Sequence, residues 1–129
     1  MTKKLFFSFI VAIFLFSCTK YEDGPLFTFR SKTKRIAHSW EYAAIIYTET
    51  GISVTTNLPQ TIYTFNSDGK YEESTGYSGT WKFKGDIELE ITKSKLGDST
   101  QTQTWEITRL SNKELWLRYN KVDHHFKTK

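Results

Sequence analysis

The sequence predicts an all-β domain of eight antiparallel strands closed into an up-and-down barrel, with a short helix before the barrel and a signal segment and tether before the helix. Three observations carry this expectation. All four tryptophans and all seven tyrosines follow residue 20, and such side chains are enriched in strands. From Trp40 onward, apolar residues recur with a period of two, most plainly in Ile87-Glu88-Leu89-Glu90-Ile91-Thr92, the pattern of a strand with one covered face. Turn signals such as Asn66-Ser67-Asp68-Gly69, Gly85-Asp86 and Ser111-Asn112 separate these runs, as close-coupled hairpins require. A meander of this kind must close or split into two sheets, because open edges invite pairing with other chains, and eight strands close around an interior that side chains can fill or that holds one small ligand.

The leader comes first in the chain. Lys3 and Lys4 form a positive head, and Leu5 to Phe16 is apolar at every position except Ser8. That run has the length of a secretory h-region and falls short of the roughly 20 apolar residues that span a bilayer. Residues 1–17 therefore read as a signal peptide, 18–28 as a tether and 29–129 as the barrel domain. Cys18, the only cysteine, stands where the apolar run ends, so no disulfide can form within the chain. Leu15-Phe16-Ser17-Cys18 resembles the lipobox of bacterial lipoproteins, and the resemblance implies lipidation at Cys18. The thiolate is the natural nucleophile for a thioether to lipid, and two or more acyl chains hold a protein stably on a membrane. The acidic tether Tyr21-Glu22-Asp23-Gly24-Pro25 resembles export signals of surface-exposed lipoproteins. The expected location is the cell envelope, anchored in the outer membrane.

The formal charge falls from +4 to +2 when Lys3 and Lys4 leave with the signal. The remaining charges are interspersed, which argues against a nucleic-acid surface, where Lys and Arg gather on one face. The one dense cluster, Arg30 to Arg35, reads as the solvated face of a short helix between Phe27 and Ala37, whose Ile36 and Ala37 cover one end of the sheet.

The strands follow in order. Trp40 to Tyr47 is the first, with Trp40, Tyr42, Ala44 and Ile46 on one face. Residues 52–58 carry no clear pattern and end at Pro59. Thr61 to Phe65 pairs through the Asp68-Gly69 turn with Lys70 to Ser74. Tyr77 to Lys84 places Gly79, Trp81 and Phe83 on one face, and Ile87, Leu89 and Ile91 continue the inner surface. Lys93 to Ser99 reads as a polar loop. Gln101 to Leu110 brings Trp105 and Ile107 inward, and the chain closes with Leu115, Leu117 and Tyr119, then Val122, His124 and Phe126.

The order of the lipobox, the basic turn, the Trp opening the first strand, "YTFNSDGKY", "SGTWKF", "LEIT" and "TWEITRLSNKELWL" resembles the small lipocalin-like lipoproteins of Gram-negative bacteria over nearly the whole chain after the leader. Gly79-Thr80-Trp81 and Leu110 to Leu117 are its most specific pieces. Lipocalins open their first strand with Gly-x-Trp; here it reads His38-Ser39-Trp40, with the Trp but not the glycine. The resemblance also implies an arginine packed on that Trp, for which Arg118 and Lys127 are the candidates.

The chemistry carried by the residues is sparse. On a strand, Asp123 and His125 face away from His124, so the three do not form a metal site, and no cofactor is expected. Glu88 and Glu90 share the face opposite the apolar one, where solvent is the natural partner. No nucleophile elbow and no phosphate loop occurs, so the expectation is a protein that is not an enzyme. The aromatics Trp40, Tyr42, Tyr63, Phe65, Trp81, Phe83, Trp105 and Tyr119 are candidates to line a site for a small hydrophobic ligand, against the alternative that they only fill the core. The leading expectation is a monomeric, envelope-anchored barrel that binds such a ligand. The alternative is a non-enzymatic module that holds or inhibits a protein partner at the envelope. A cavity of about 300 Å³ or more would favour the ligand.

Overall fold

The computed structural model describes residues 31–129; Cys18, the leader and the tether lie outside the described residues. Among the described residues a short helix, α1 (Lys32–Ile36), precedes nine strands: β1 (Ser39–Tyr47), β2 (Ile52–Val54), β3 (Tyr63–Phe65), β4 (Lys70–Glu73), β5 (Ser78–Lys84), β6 (Glu88–Ser94), β7 (Gln101–Leu110), β8 (Glu114–Tyr119) and β9 (Val122–Thr128). All pair antiparallel in one sheet, and β9 returns to β1. The nine strands occupy eight positions, because β3 pairs with Ser39 and Trp40 while β2 pairs with Ile45 to Tyr47 along the same edge of β1. The break between them contains Pro59, which has no N–H to give to a ladder. The result is a closed eight-stranded antiparallel barrel, as the alternation and the hairpin spacing predict.

Turn chemistry sets the hairpins. Gly69 takes a φ of 91°, open to glycine without steric cost, and Asp68 Oδ1 accepts the Lys70 N–H at 3.0 Å. The β8–β9 turn uses Asn120 and Lys121, both at positive φ (49° and 62°). Two such residues in succession match the right-handed twist of the strands they join.

Two bulges correct the simple alternation. In β1, Tyr42 faces Phe126 but Ala44 faces His125, so Ala43 is the extra residue and the strand changes face after it. Ala44 and Ile46, expected beside Trp40, therefore align with His125 and Asp123 on the outer face, and Ile45 aligns with His124 on the inner one. In β7 the ladder skips Thr108 between Ile107 and Arg109. That skip brings Leu110 opposite Leu115, both fully buried.

The core runs from Ile36 and Trp40 through Phe65, Tyr71, Trp81, Leu89 and Ile91 to Ile107, Leu110, Leu115, Leu117 and Phe126. Ile87, expected to continue the inner face, stands just before β6 at the end of the hairpin and is 38% exposed. Gly79 has a packing role. A Cβ there would come within 1.8 Å of the Thr92 carbonyl oxygen and 2.9 Å of the Lys93 Cα, so any side chain would force β5 away from β6.

Helix α1 closes one end. Ser31 caps it by accepting the Lys34 N–H at 3.3 Å. Trp40 Nε1 donates to the Ile36 carbonyl at 2.9 Å, and Arg35 Nη1 donates to the Leu110 carbonyl at 2.8 Å. Lys32 Nζ bonds the Asp86 carbonyl and lies 4.5 Å from the Phe83 ring centroid. The helix thus spans from the β5–β6 turn to the end of β7. Two expectations change here. The basic cluster is not merely solvated, since Arg35 is buried. Nor do Arg118 and Lys127 attend the Trp: Arg118 pairs with Asp123 and Lys127 with Glu41, while Arg35 is the buried arginine at the Trp40 end.

Candidate ligand cavity

The barrel is not filled to its full height. A cavity of about 220 Å³ lies inside it, with Trp40, Phe65, Leu115, Leu117 and Phe126 forming its apolar part and Tyr42, Tyr63, Tyr71, Lys93, Gln103 and Trp105 bringing polar atoms to it; Ile91 completes the wall. The first group comes from strand positions near α1, where facing residues are wholly or almost wholly buried. The second comes from β1, β3, β4, β6 and β7; of its rings Tyr71 is fully buried, whereas Tyr42, Tyr63 and Trp105 are only partly so.

Ring contacts fix the wall. Tyr42 meets Phe126 at 4.5 Å between centroids and Tyr63 at 5.9 Å, edge-on, and Tyr63 meets Phe126 at 5.3 Å. Trp105 is held between Tyr119 (4.8 Å) and His124 (5.1 Å). Such edge-to-face and tilted pairs orient rings beyond what area burial alone would do.

At the polar part, Lys93 Nζ donates to Glu73 Oε2 at 2.8 Å and Oε1 at 3.2 Å. The Lys93 and Glu73 side chains are only 15% and 6% exposed, and the ammonium also lies 4.8 Å from the Tyr77 ring centroid. Tyr42 Oη and His124 Nδ1 share a hydrogen bond of 2.9 Å. Trp105 Nε1 is buried and has no hydrogen-bond partner among the described residues.

Burial, more than any neighbour, pushes the hydroxyls of Tyr42, Tyr63 and Tyr71 above the ordinary tyrosine range. The Glu73 carboxylate adds to the effect on Tyr71, whose hydroxyl it also engages. Burial likewise holds the His124 imidazole below its usual 6.5; His125 pushes the same way and Asp123 opposes. Burial thus opposes ionisation of these phenols and of this imidazole, and the ion pair at the polar part is that of Lys93 with Glu73.

Of the eight aromatics expected to line a site, Trp40, Tyr42, Tyr63, Phe65 and Trp105 border the cavity. Trp81 and Phe83 do not. Trp81 packs edge-on against Phe65 and donates its Nε1 to the Asn66 carbonyl at 2.9 Å, and Phe83 stands behind it, beneath Lys32. Tyr119 backs Trp105 rather than facing the space. Alternation assigns a face, whereas the height at which a residue meets the interior depends on strand tilt. Lys93 was expected in a loop, but β6 continues through Ser94. Extending Leu89-Ile91 by two residues would have placed it inside. Gln103, two residues before Trp105 and four before Ile107 on the same strand, follows from the same alternation.

The Asp123-His124-His125 run divides as expected for a strand. Arg118 Nε donates to Asp123 at 2.7 Å, His125 stacks on Trp116 at 3.9 Å, and His124 points inward. Among the described residues no group of three or more His, Cys, Asp or Glu could hold a metal ion.

An aromatic-walled cavity closed at one end by a helix, within eight antiparallel positions, defines a lipocalin-like fold. The chain is similar to the crystal structure of a lipocalin-like protein from Bacteroides uniformis, with a TM-score of 0.51, 18% identity, and coverage of 74% of this chain and 99% of that one. It is also similar to an uncharacterized protein from Bacteroides eggerthii, with a TM-score of 0.49, 19% identity, and coverage of 73% and 99%. At such identities the likeness is one of fold. No family model matches the chain, and no curated protein matches it.

Proposed function

We propose that this protein is a lipid-anchored binding protein of the cell envelope whose barrel takes up one small aromatic molecule, and that it acts as a monomer without catalysing a reaction. The observation that carries the binding reading is the cavity of about 220 Å³ bordered by Trp40, Tyr42, Tyr63, Phe65 and Trp105. It is smaller than the roughly 300 Å³ of drug-sized sites. That narrows the ligand to a single ring with a short substituent, since an apolar cavity of about 150 Å³ already takes up benzene. The alternative, a module that holds a protein partner, would draw on Tyr47 and Ile52, exposed next to each other on β1 and β2. The volume falls short of the size expected to favour a ligand, and the aromatic wall is what supports the ligand reading over the partner.

Anchoring rests on the leader, the Leu15-Phe16-Ser17-Cys18 box and the acidic tether, which support an outer-membrane location. Metabolic labelling with a lipid precursor tests it: the native chain should incorporate label, and Cys18→Ala should incorporate none. Retained label in that variant would overturn Cys18 as the site of lipidation. For the cavity, ethylbenzene should raise the melting temperature of the chain from residue 18 onward, and Leu117→Phe, which fills the space, should abolish the rise. If ethylbenzene leaves the melting temperature unchanged, the ligand reading yields to the partner reading.

A further inference from the structure

We propose that the cavity selects an uncharged single-ring aromatic molecule bearing one hydrogen-bond acceptor, a carbonyl-substituted ring in preference to a bare hydrocarbon or an aromatic acid. This rests on the ligand-binding reading above and specifies the polarity of the ligand.

Size is the first constraint: about 220 Å³ admits one ring and a small substituent. The need for an acceptor comes from Trp105. Its ring borders the cavity, is fixed by Tyr119 and His124, and its buried Nε1 has no partner among the described residues. An indole N–H can only donate, and a buried donor left without an acceptor is costly. The other buried tryptophans differ: Trp40 and Trp81 each donate to a backbone carbonyl at 2.9 Å. Trp105 is thus the buried indole for which the barrel supplies no acceptor and beside which it leaves space.

Neutrality follows from the ion pair. Lys93 is engaged by both oxygens of Glu73, and the Glu73 side chain is 6% exposed. An entering carboxylate would share that ammonium with a carboxylate already there and leave one negative charge in excess in a poorly solvated space. An entering ammonium would have to displace Lys93. Either charged ligand also loses its own hydration. A carbonyl oxygen bears neither cost, and Tyr42, Tyr63 and Gln103 present groups that can bond the remainder of a polar substituent.

Three probes of matched shape test this on the chain from residue 18 onward, with Cys18→Ser. Titration calorimetry should give acetophenone about tenfold tighter binding than ethylbenzene, the worth of one buried hydrogen bond, with benzoate the weakest. Trp105→Phe, which removes the N–H and keeps a ring, should bring the ratio of acetophenone to ethylbenzene affinity down to about one, whatever the smaller ring does to both. Independently of any variant, one indole N–H proton resonance should move downfield with acetophenone and not with ethylbenzene. Equal affinities for acetophenone and ethylbenzene would overturn the acceptor inference and leave the cavity reading standing. Tighter benzoate would overturn neutrality, and a preference that survives Trp105→Phe would overturn the role of Trp105. If none of the three binds, the cavity reading falls with the inference.

Discussion

The two ends of the barrel are built on different principles. At the α1 end, Ile36, Trp40, Leu110 and Leu115 are fully buried; Trp40 Nε1 and Arg35 Nη1 donate to backbone carbonyls, while Arg35 Nε has no hydrogen-bond partner among the described residues. Toward the other end, Tyr42, Tyr63 and Trp105 are only partly buried, and the polar groups engage one another: Lys93 with Glu73, Tyr42 with His124. The first arrangement suits stability, since close packing gains dispersion and excludes water. The second carries polar groups into the interior at a cost that direct pairing offsets. The polar part of the site therefore lies where close apolar packing gives way to paired polar groups.

Breaking the closed end should have the largest effect. Trp40→Ala should destabilise the domain by about 3–5 kcal/mol, combining the transfer of a fully buried ring with the cavity left behind. Denaturant melts check it, and a loss under about 1 kcal/mol, typical of exposed positions, would erase the contrast between the ends.

Next comes the polar end, where Lys93→Met should cost about 3 kcal/mol because it leaves the Glu73 carboxylate buried without its partner. The double variant Lys93→Met, Glu73→Gln should regain most of that. A double variant no more stable than the single one would mean that the ion pair is not what makes this end distinct. The same melts report it.

The smallest effect is a pH dependence at His124. Burial lowers its folded-state value below the usual 6.5, so below about pH 6.5 the unfolded chain binds a proton that the folded chain does not. Stability should therefore be unaffected by this group above 6.5. It should fall as the pH drops from there toward the lowered folded value, with a slope of at most about 1.4 kcal/mol per pH unit. Replacing the imidazole with an amide in His124→Gln should flatten that limb in melts run from pH 7.5 to 5. A variant curve parallel to the native one would show that His124 is solvated, and the ordered polar end would lose one of its members.

Much of the barrel was legible in the chain because strand periodicity and hairpin turns are local. Trp81 and Leu89 need only their neighbours to be assigned a face, and Asp68-Gly69 needs only its own backbone to make a turn. The same locality explains the errors. A bulge is a property of a pair of strands, so Ala43 and Thr108 could shift the face of all that follows without any mark in the sequence itself. Arg35 looked solvated within its own helix and became buried only when the helix met β7 at Leu110.

By itself the sequence determined the class of fold, its closure into eight positions and the apolar stock of its interior, since these depend on pattern and composition. Tertiary structure alone decided which of those aromatics border empty space. That depends on strand tilt, bulges and the volume left when rings from distant strands meet. Trp81 and Trp105 both alternate inward, yet Trp81 donates to the Asn66 carbonyl, whereas the Trp105 N–H meets no acceptor among the described residues.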